Sequence, residues 1–316
     1  MATVEKTAFL MDTVVTIKLF VEVQESRTAA AFLDSALERM VRLEALADTY
    51  QPQSEISRVN RTAARTRVHL SPALAALLKK AGRIDSLSRG SFTPALGALT
   101  ALWGFGRRDT MTVPSAGEIR EALQHVGQPT YRLSGDSLAF EDAAAAFDLG
   151  GIAKGYAVDA AIEYLRAQGF TDVQVDAGGD LRAMASARTA GMRNVYVRHP
   201  LKSDGFYGRF PLNNGAVATS GDYERFFVAQ GVRYHHLLDP HTGYPARACR
   251  SATILGEEAA ACDALATAVF VLGPEKGMAL VERLPGIEGL IVFEENDTLI
   301  YKISTGLAPV FEWLEQ

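Results

Sequence analysis

Residues 148–159 read Asp148-Leu-Gly-Gly-Ile-Ala-Lys154-Gly-Tyr-Ala-Val-Asp159. Two adjacent glycines before an apolar, helix-forming run predict a tight turn that opens into a helix. A helix N-terminus with a nearby lysine suits a phosphate group, because free N–H groups and the positive end of the dipole face it. The stretch is neither a Walker A loop nor a G-x-G-x-x-G loop, since Lys154 precedes its glycine and no Ser or Thr follows. A plain strand-to-helix connection, whose glycines only permit close packing, is the alternative.

The rest of the chain alternates irregularly between helical and strand-like patterns. Helices are expected over 27–47, 72–88, 116–126, 151–168, 259–272 and 275–284, with Ser71 and Ser115 as caps of the second and third. Strands are expected over 9–22, 172–175, 195–198, 216–219, 223–228, 233–238, 290–293 and 298–303. The apolar, glycine-rich segment 90–106 is expected to pack against a ligand or the core.

This order favours an α+β fold, with antiparallel sheets flanked by helices, over a doubly wound parallel sheet. At 316 residues, the chain is expected to form one domain over 1–316, or two intimately packed subdomains.

Composition excludes several classes of protein. With 32 basic and 37 acidic residues the net charge is -5, which offers no footprint for nucleic acid, so an anionic ligand must be held locally. Apolar stretches such as 264–273 are shorter than the roughly 20 residues of a bilayer span, so no transmembrane segment is expected. Without a recognisable leader the chain is expected to be soluble, and Cys249 and Cys262 to be buried free thiols.

A possible metal pair lies in Asp263-Ala-Leu-Ala-Thr267. On a helix, residues four apart share one face, so a carboxylate and a hydroxyl point the same way. Hard oxygen donors of this kind suit Mg²⁺ whose coordination is completed by water and phosphate. An acidic residue near a helix start, with a threonine nearby by chance, is the alternative.

Histidines cluster in His235-His236-Leu-Leu-Asp239-Pro-His241-Thr-Gly-Tyr-Pro. Histidine accepts protons near neutral pH and can activate a hydroxyl nucleophile. A zinc site is disfavoured, since a strand turns His235 and His236 to opposite faces. A simple Asp-Pro turn with exposed histidines is the alternative.

Two shorter features can contact a flat ring. Met11, expected inside the first strand, and Tyr50, after the first long helix, can sandwich an isoalloxazine or adenine ring, although isolated residues of these types are more often part of a core.

In this order the motifs resemble the ApbE family over about residues 9–272. The matching motifs are Met11-x-Thr13, Tyr50 with Ser54-Glu-Ile-x-x-x-Asn60, Leu102-Trp-Gly-Phe, 148–159, Ala177-Gly-Gly-Asp180, Ala218-Thr-Ser-Gly-Asp-Tyr223, His236-x-x-Asp-Pro-x-Thr-Gly-x-Pro and Asp263-Ala-x-x-Thr267.

The resemblance implies an antiparallel α+β fold related to the tunnelling fold, and FAD:protein FMN transferase activity. Family members join FMN to a Ser or Thr of an acceptor, often a redox-pump subunit or a flavin-carrying reductase domain. Some instead hydrolyse FAD to FMN and AMP. Members are commonly at the cell envelope, so this chain is expected there if a leader has been removed, and otherwise in the cytoplasm.

The resemblance also implies roles for single residues. Mg²⁺ would be held by the side chains of Asp263 and Thr267 and by the carbonyl of Gly151. FAD, as substrate, would be contacted by Met11, Tyr50, Ser91, Phe92, Thr93, Asp148, Lys154 and Leu237. His236 would assist the acceptor hydroxyl, while Asp263 would serve catalysis through the metal.

The chain departs from the family pattern at two places. Asp12 stands where Gly is usual, which adds a carboxylate near the pocket. The usual Phe-Asp-x-Thr reads Phe92-Thr93-Pro94-Ala95, which loses a carboxylate and a hydroxyl. Two alternatives to a transferase therefore stay open: a metal-dependent FAD pyrophosphatase, and a flavin-binding protein without catalysis.

Overall fold

The structure, a computed structural model, describes residues 1–105, 111–202 and 204–314. Its helices are α1 (Ser26–Ala47), α2 (Glu55–Thr62), α3 (Pro72–Ser88), α4 (Gly97–Trp103), α5 (Ala116–Leu123), α6 (Ala153–Ala167) and α7 (Ala259–Arg283). Its strands are β1 (Ala2–Leu10), β2 (Thr13–Val21), β3 (Val68–His69), β4 (Tyr131–Ser134), β5 (Ser137–Phe140), β6 (Val173–Ala177), β7 (Asp180–Met184), β8 (Asn194–Arg198), β9 (Phe206–Pro211), β10 (Gly215–Gly221), β11 (Phe226–Ala229), β12 (Val232–His235), β13 (Ser251–Gly256), β14 (Glu288–Glu295), β15 (Thr298–Ile303) and β16 (Glu312–Trp313).

Within the described residues, the main sheet has eight strands in the order β1-β2-β6-β7-β10-β13-β14-β15. Every neighbouring pair in it is antiparallel. The smaller sheets β11-β12, β16-β9-β8 and β3-β5-β4 are antiparallel as well. The α+β class expected from the sequence is therefore confirmed.

The main sheet forms the middle of three layers. Along β2, Val15 and Ile17 are fully buried while Lys18 is not, as the two-residue period of a strand requires. The buried side chains face a layer formed by α1, α6 and α7. On the opposite face, residues of the main sheet such as Val217 pack in one cluster with Phe210 of the small sheet β16-β9-β8.

Helices with clear start signals lie where the sequence predicts them. The Ser71 hydroxyl accepts a hydrogen bond from the backbone N–H of Leu74 at 3.3 Å, which caps α3. The Ser115 hydroxyl accepts a hydrogen bond from the backbone N–H of Glu118 at 3.3 Å. The Glu118 side chain in turn accepts the backbone N–H of Ser115, which completes a capping box at the start of α5. Both predicted caps are confirmed, although α5 ends three residues earlier than expected.

The expected opening strand over 9–22 is wrong, because the chain reverses at Met11 and Asp12. β1 and β2 pair antiparallel from Leu10 and Thr13 outward. Met11 and Asp12 have φ of 53° and 59°, the left-handed conformation that a two-residue hairpin turn needs at both central positions. Aspartate tolerates this conformation better than most residues. The turn therefore survives without the glycine that is usual there, and Met11 lies in the turn rather than inside a strand.

The apolar segment 90–106 packs into the core, one of the two expectations for it, and contains a helix that the sequence did not predict. Trp103, at the end of α4, is fully buried and donates its Nε1–H to the carbonyl of Gly243 at 2.8 Å. Gly106 lies outside the described residues. The strand expected over 223–228 begins only at Phe226, since a turn precedes it.

Helix α7 combines the two helices expected over 259–272 and 275–284. Gly273, with φ 79° and ψ 175°, kinks it just before Pro274. In the described part of the chain, α7 alone is long and apolar enough to cross a membrane by length and composition. However, 56% of its apolar window is buried against the rest of the protein. Packing on α6, β10 and β13 accounts for its apolar surface.

Candidate active site

The starts of α6 and α7 meet at Gly155. A Cβ added there would lie 2.3 Å from the carbonyl oxygen of Ala259, so only glycine allows this approach. The buried Asp159 carboxylate then accepts the N–H groups of Ala259 at 2.8 Å and Ala260 at 2.9 Å. It also accepts from Arg182 Nη1 at 2.8 Å. These contacts position the first turn of α7 relative to α6.

One lysine and two carboxylates converge beside this contact. Lys154 Nζ lies 2.9 Å from Asp180 Oδ2 and 3.6 Å from Asp263 Oδ2. The same Asp263 oxygen accepts the N–H of Gly155 at 3.2 Å. Asp180 and Asp263 are buried, whereas the Lys154 side chain is 30% exposed. The ammonium group is therefore held by two buried carboxylates, while part of the lysine side chain stays exposed.

The charges in this cluster shift one another's pKa values. Burial, together with the nearby Asp263 carboxylate, raises the pKa of Asp180 above its ordinary value. Burial alone would lower the pKa of Lys154, but the carboxylates of Asp180 and Asp263 outweigh it and raise that pKa. Lys154 therefore stays cationic at neutral pH, as a phosphate contact must.

The three residues assigned to the metal come together. Thr267 lies one helical turn after Asp263 on α7, and a Cβ added to Gly151 would lie 3.4 Å from Thr267 Oγ1. The same Cβ would lie 3.3 Å from the ring of Phe92, so Phe92 forms a wall of the site. Ser220 Oγ of β10 lies 3.2 Å from Thr267 Oγ1, which adds another hydroxyl.

These donors fit Mg²⁺. A carboxylate and a hydroxyl are hard oxygen ligands, and Mg²⁺ usually keeps several positions for water and phosphate. Among the described residues, no group of three or more His, Cys, Asp or Glu side chains is placed to hold a metal. A site in which the protein supplies few ligands, and a bound phosphate supplies others, agrees with the oxygen donors present and with the lack of a larger cluster among the described residues.

A carboxylate still lies beside the altered segment 92–95. The Thr93 hydroxyl donates to Asp85 Oδ2 of α3 at 2.8 Å, and it accepts the N–H of Ala95 at 3.3 Å. Burial raises the pKa of Asp85, although the Thr93 hydrogen bond opposes this. The carboxylate and hydroxyl of the family pattern are absent from 92–95, but Asp85 of α3 places a carboxylate beside Thr93. Ser91, Phe92 and Thr93 are all buried.

The two neighbouring histidines have different roles. His235 is buried, with Nε2 2.7 Å from the carbonyl of Ala246, while its Nδ1 accepts the N–H of Leu237 at 3.3 Å. Both ring nitrogens of His235 are thus engaged, which argues against the zinc alternative. His236 is partly exposed, and its Nδ1 lies 3.3 Å from the carbonyl of Arg225. Since a carbonyl can only accept, Nδ1 carries the proton and Nε2 is left as an acceptor.

The pKa of His236 suits a proton acceptor. Burial by the surrounding atoms, followed by repulsion from Arg225, His235 and Lys154, lowers the pKa of His236 to about 4, against the hydrogen bond to the Arg225 carbonyl. The imidazole is therefore neutral at neutral pH.

The remaining predicted FAD contacts are anchored by nearby groups. The Met11 N–H donates to Glu44 of α1 at 2.5 Å. The Tyr50 hydroxyl donates to the carbonyl of Phe105 at 2.6 Å. Asp148 Oδ1 accepts the N–H of Gly150 at 2.8 Å, which braces the glycine turn, and Leu237 is buried. The structure shows these anchors, while their contacts with FAD remain predictions.

Fold and site together define an α+β protein in which a lysine, two carboxylates and two hydroxyls meet where α6 and α7 begin. The ApbE family model matches residues 11–291, and the chain belongs to the ApbE family. A crystal structure of the ApbE protein from Thermotoga maritima is similar, with a TM-score of 0.89 and 34% identity over 98% of this chain and 99% of that one. The structure of the flavin transferase ApbE from Vibrio cholerae is similar with a TM-score of 0.86 and 29% sequence identity, and the match covers 98% of this chain and 99% of that one.

Relatives similar in sequence carry one name. The FAD:protein FMN transferase of Treponema pallidum (strain Nichols) is 34% identical over 296 residues, which is 86% of this chain and 80% of that protein. The FAD:protein FMN transferase of Vibrio cholerae is 31% identical over 82% of this chain and 78% of that protein. These matches confirm the expectation, made from the sequence, of a transferase of the ApbE family.

Two groups near this site, Asp180 and Arg225, received no role from the sequence. Asp180 closes the motif Ala177-Gly-Gly-Asp180, where a carboxylate directly after two glycines was a usable signal. Arg225 follows the motif that begins at Ala218, and nothing in its local sequence distinguishes it from a surface arginine. Only the fold brings these residues to Lys154 and His236.

Proposed function

We propose that this chain cleaves FAD and joins its FMN half to a serine or threonine hydroxyl of an acceptor protein, releasing AMP in an Mg²⁺-dependent reaction. The observation that carries the proposal is the convergence of Lys154, Asp263 and Thr267 in a chain whose relatives are named FAD:protein FMN transferases. The acceptor expected from the family is a redox-pump subunit or a flavin-carrying reductase domain.

Binding of the pyrophosphate follows from charge and burial. Asp180 and Asp263 hold the ammonium group of Lys154 in place, so its position does not depend on the ligand. The positive end of the α6 dipole lies at the same glycine turn. Because the protein as a whole is acidic, this local arrangement is what attracts an anion.

The cation would be held by Asp263, Thr267 and the backbone of Gly151. When bound, Mg²⁺ would neutralise part of the negative charge of the pyrophosphate. Ser220, whose hydroxyl lies 3.2 Å from that of Thr267, orients the threonine oxygen.

The transfer step requires a base and a leaving group. The acceptor hydroxyl oxygen forms a bond to the phosphorus of the FMN half, and the bond from that phosphorus to the bridging oxygen breaks. AMP leaves with the bridging oxygen and the electron pair. The hydroxyl proton passes to Nε2 of His236. The ring is neutral at the start because burial lowers the pKa of His236, and Nε2 is free to accept because Nδ1 carries the proton that faces the Arg225 carbonyl.

A single incubation tests the proposal. The chain is mixed with FAD, Mg²⁺ and an acceptor that carries a Ser/Thr-Gly-Ala-Thr-like motif, and the acceptor is weighed by mass spectrometry while FMN and AMP are separated by chromatography. The expected result is an acceptor heavier by the mass of FMN less one water, with one AMP released per FMN transferred.

Two variants make the test specific. Asp263→Asn removes a ligand charge and is expected to abolish transfer, whereas Asp297→Asn, in the exposed turn between β14 and β15, is the matched control. If free FMN and AMP form equally with and without acceptor, the protein is a FAD pyrophosphatase and the proposed transfer is wrong. FAD binding without either reaction, and insensitive to Asp263→Asn, would replace it with a non-catalytic flavin-binding protein.

A further inference from the structure

A pair of opposite charges bridges the two sides of the site. Arg225 Nη2 lies 3.3 Å from Asp12 Oδ2, across a separation of 213 residues. Within the described ranges, neither side chain makes a second ion pair. Asp12 is also the residue that replaces the usual glycine of the family. The pair therefore joins the β1-β2 turn to the loop in front of β11.

The backbone on each side of this pair is fixed. Asp12 lies in the tight β1-β2 turn with φ 59°, and Met11 ties that turn to Glu44 at 2.5 Å. The carbonyl of Arg225 accepts the N–H of His236 at 3.0 Å and faces its Nδ1 at 3.3 Å. The guanidinium group therefore extends from a backbone that is locked to the residue assigned as proton acceptor.

Arg225 lies beside His236. Its carbonyl is 3.3 Å from Nδ1 of that ring, and repulsion from its guanidinium group contributes to lowering the pKa of His236. The side chain is 51% exposed, so a ligand can contact it. Lys154 pairs with two buried carboxylates, whereas the ion pair of Arg225 among the described residues is with the exposed carboxylate of Asp12 in a turn.

We propose that Arg225 binds the phosphoryl group that is transferred, and that Asp12 holds its guanidinium group over the site until FAD displaces it. This inference rests on the proposed function. A guanidinium group presents paired N–H donors that match two phosphate oxygens. During transfer, negative charge is spread over the non-bridging oxygens of the FMN phosphate as one P–O bond forms and the bond to AMP breaks. An exposed ion pair is weak, so Arg225 leaves Asp12 at little cost.

Substitution of Arg225 tests the first half of the proposal. Arg225→Gln is expected to lower kcat for FMN transfer by about 100-fold or more, as loss of a donor to transition-state charge does elsewhere. Arg225→Lys is expected to recover part of this loss, because the charge returns without the paired donors. Neither substitution removes the backbone carbonyl that holds His236. Arg198→Gln, which breaks the exposed pair with the neighbouring Glu224 at 3.8 Å, is the matched control.

Substitution of Asp12 tests the second half. Asp12→Asn keeps a residue that tolerates the left-handed turn but removes the carboxylate that competes with FAD for Arg225. FAD is therefore expected to bind about 2- to 5-fold more tightly, the range that loss of an exposed ion pair allows. Equilibrium titration of flavin fluorescence measures this. Weaker binding in Asp12→Asn would overturn the role given to Asp12.

The outcomes separate this inference from the proposed function. If the unsubstituted chain transfers no FMN to a cognate acceptor, the proposed function fails and the assignment of Arg225 falls with it. If it transfers normally and Arg225→Gln retains kcat within twofold, only the assignment of Arg225 is overturned. A loss in Arg225→Gln that comes with a melting temperature far below that of Arg198→Gln, and that Arg225→Lys does not relieve, would show a structural role and also overturn it.

Discussion

Removing the Asp159 carboxylate is expected to loosen the start of α7 and with it the metal pair. In the native protein the carboxylate accepts three hydrogen bonds, from Ala259, Ala260 and Arg182, at 2.8 to 2.9 Å. Removing one partner of a buried ion pair typically costs about 3–5 kcal/mol. In Asp159→Ala, Arg182 keeps its ion pair with Glu163 at 3.1 Å. The expected loss in the free energy of unfolding is therefore at the lower end of this range, about 3 kcal/mol. Asp159→Asn retains a neutral acceptor and is expected to cost about 1–2 kcal/mol.

Urea unfolding followed by tryptophan fluorescence measures this cost, because Trp103 is fully buried. The control is Asp297→Asn, an exposed aspartate outside the site. Asp263 lies one helical turn after Ala259, whose N–H group the Asp159 carboxylate holds. The Mg²⁺ concentration that half-saturates transfer is therefore expected to rise in Asp159→Asn, under conditions where the protein remains folded. A free energy of unfolding for Asp159→Ala within about 0.5 kcal/mol of that of the control would refute the reasoning, since surface substitutions change this free energy by that much.

Other predictions follow from single contacts. Gly155→Ala forces a methyl group against the Ala259 carbonyl and is expected to lower the free energy of unfolding by about 1–3 kcal/mol, measured in urea. Because the pKa of His236 is lowered to about 4, transfer is expected to decline only as the pH falls towards that value, and His236→Gln is expected to be slow throughout; a decline centred near the ordinary histidine pKa of 6.5 would contradict this. Burial alone would raise the pKa of Asp172, but hydrogen bonds such as that from the Ser186 N–H lower it to about 2, below the ordinary 3.8. Its stabilising contribution is thus present above about pH 4 and lost as the pH falls towards 2, so Asp172→Asn is expected to flatten the acid side of the stability curve.

Elements with strong local signals were predictable from the sequence. The apolar period of α1 and the serine caps of α3 and α5 act within one or two helical turns, so no distant residue is needed to read them. The opening hairpin was missed for a local reason as well. Met11 and Asp12 carry neither the Asn-Gly nor the Asp-Gly signal that marks such turns, and the conformation of Asp12 is visible only in the structure.

The short helix α4 and strands such as β7 were missed for a different reason. Their residues are stabilised by burial against other elements rather than by propensity or caps, as the fully buried Trp103 shows. A sequence read alone contains no measure of that burial. The α+β class could still be inferred, because it depends on the order of elements and not on their exact bounds.

By itself, the sequence determined the family motifs, the glycine turn and the placement of Asp263 and Thr267 on one helix face, since four residues make about one turn. Only the tertiary structure decided that Asp180 lies against Lys154, that Asp85 stands beside Thr93, and that Arg225 reaches Asp12. These contacts join residues from separate elements, and their distances depend on how the helices and sheets pack. That packing is set by close approaches such as Gly155 against Ala259, which no local pattern records.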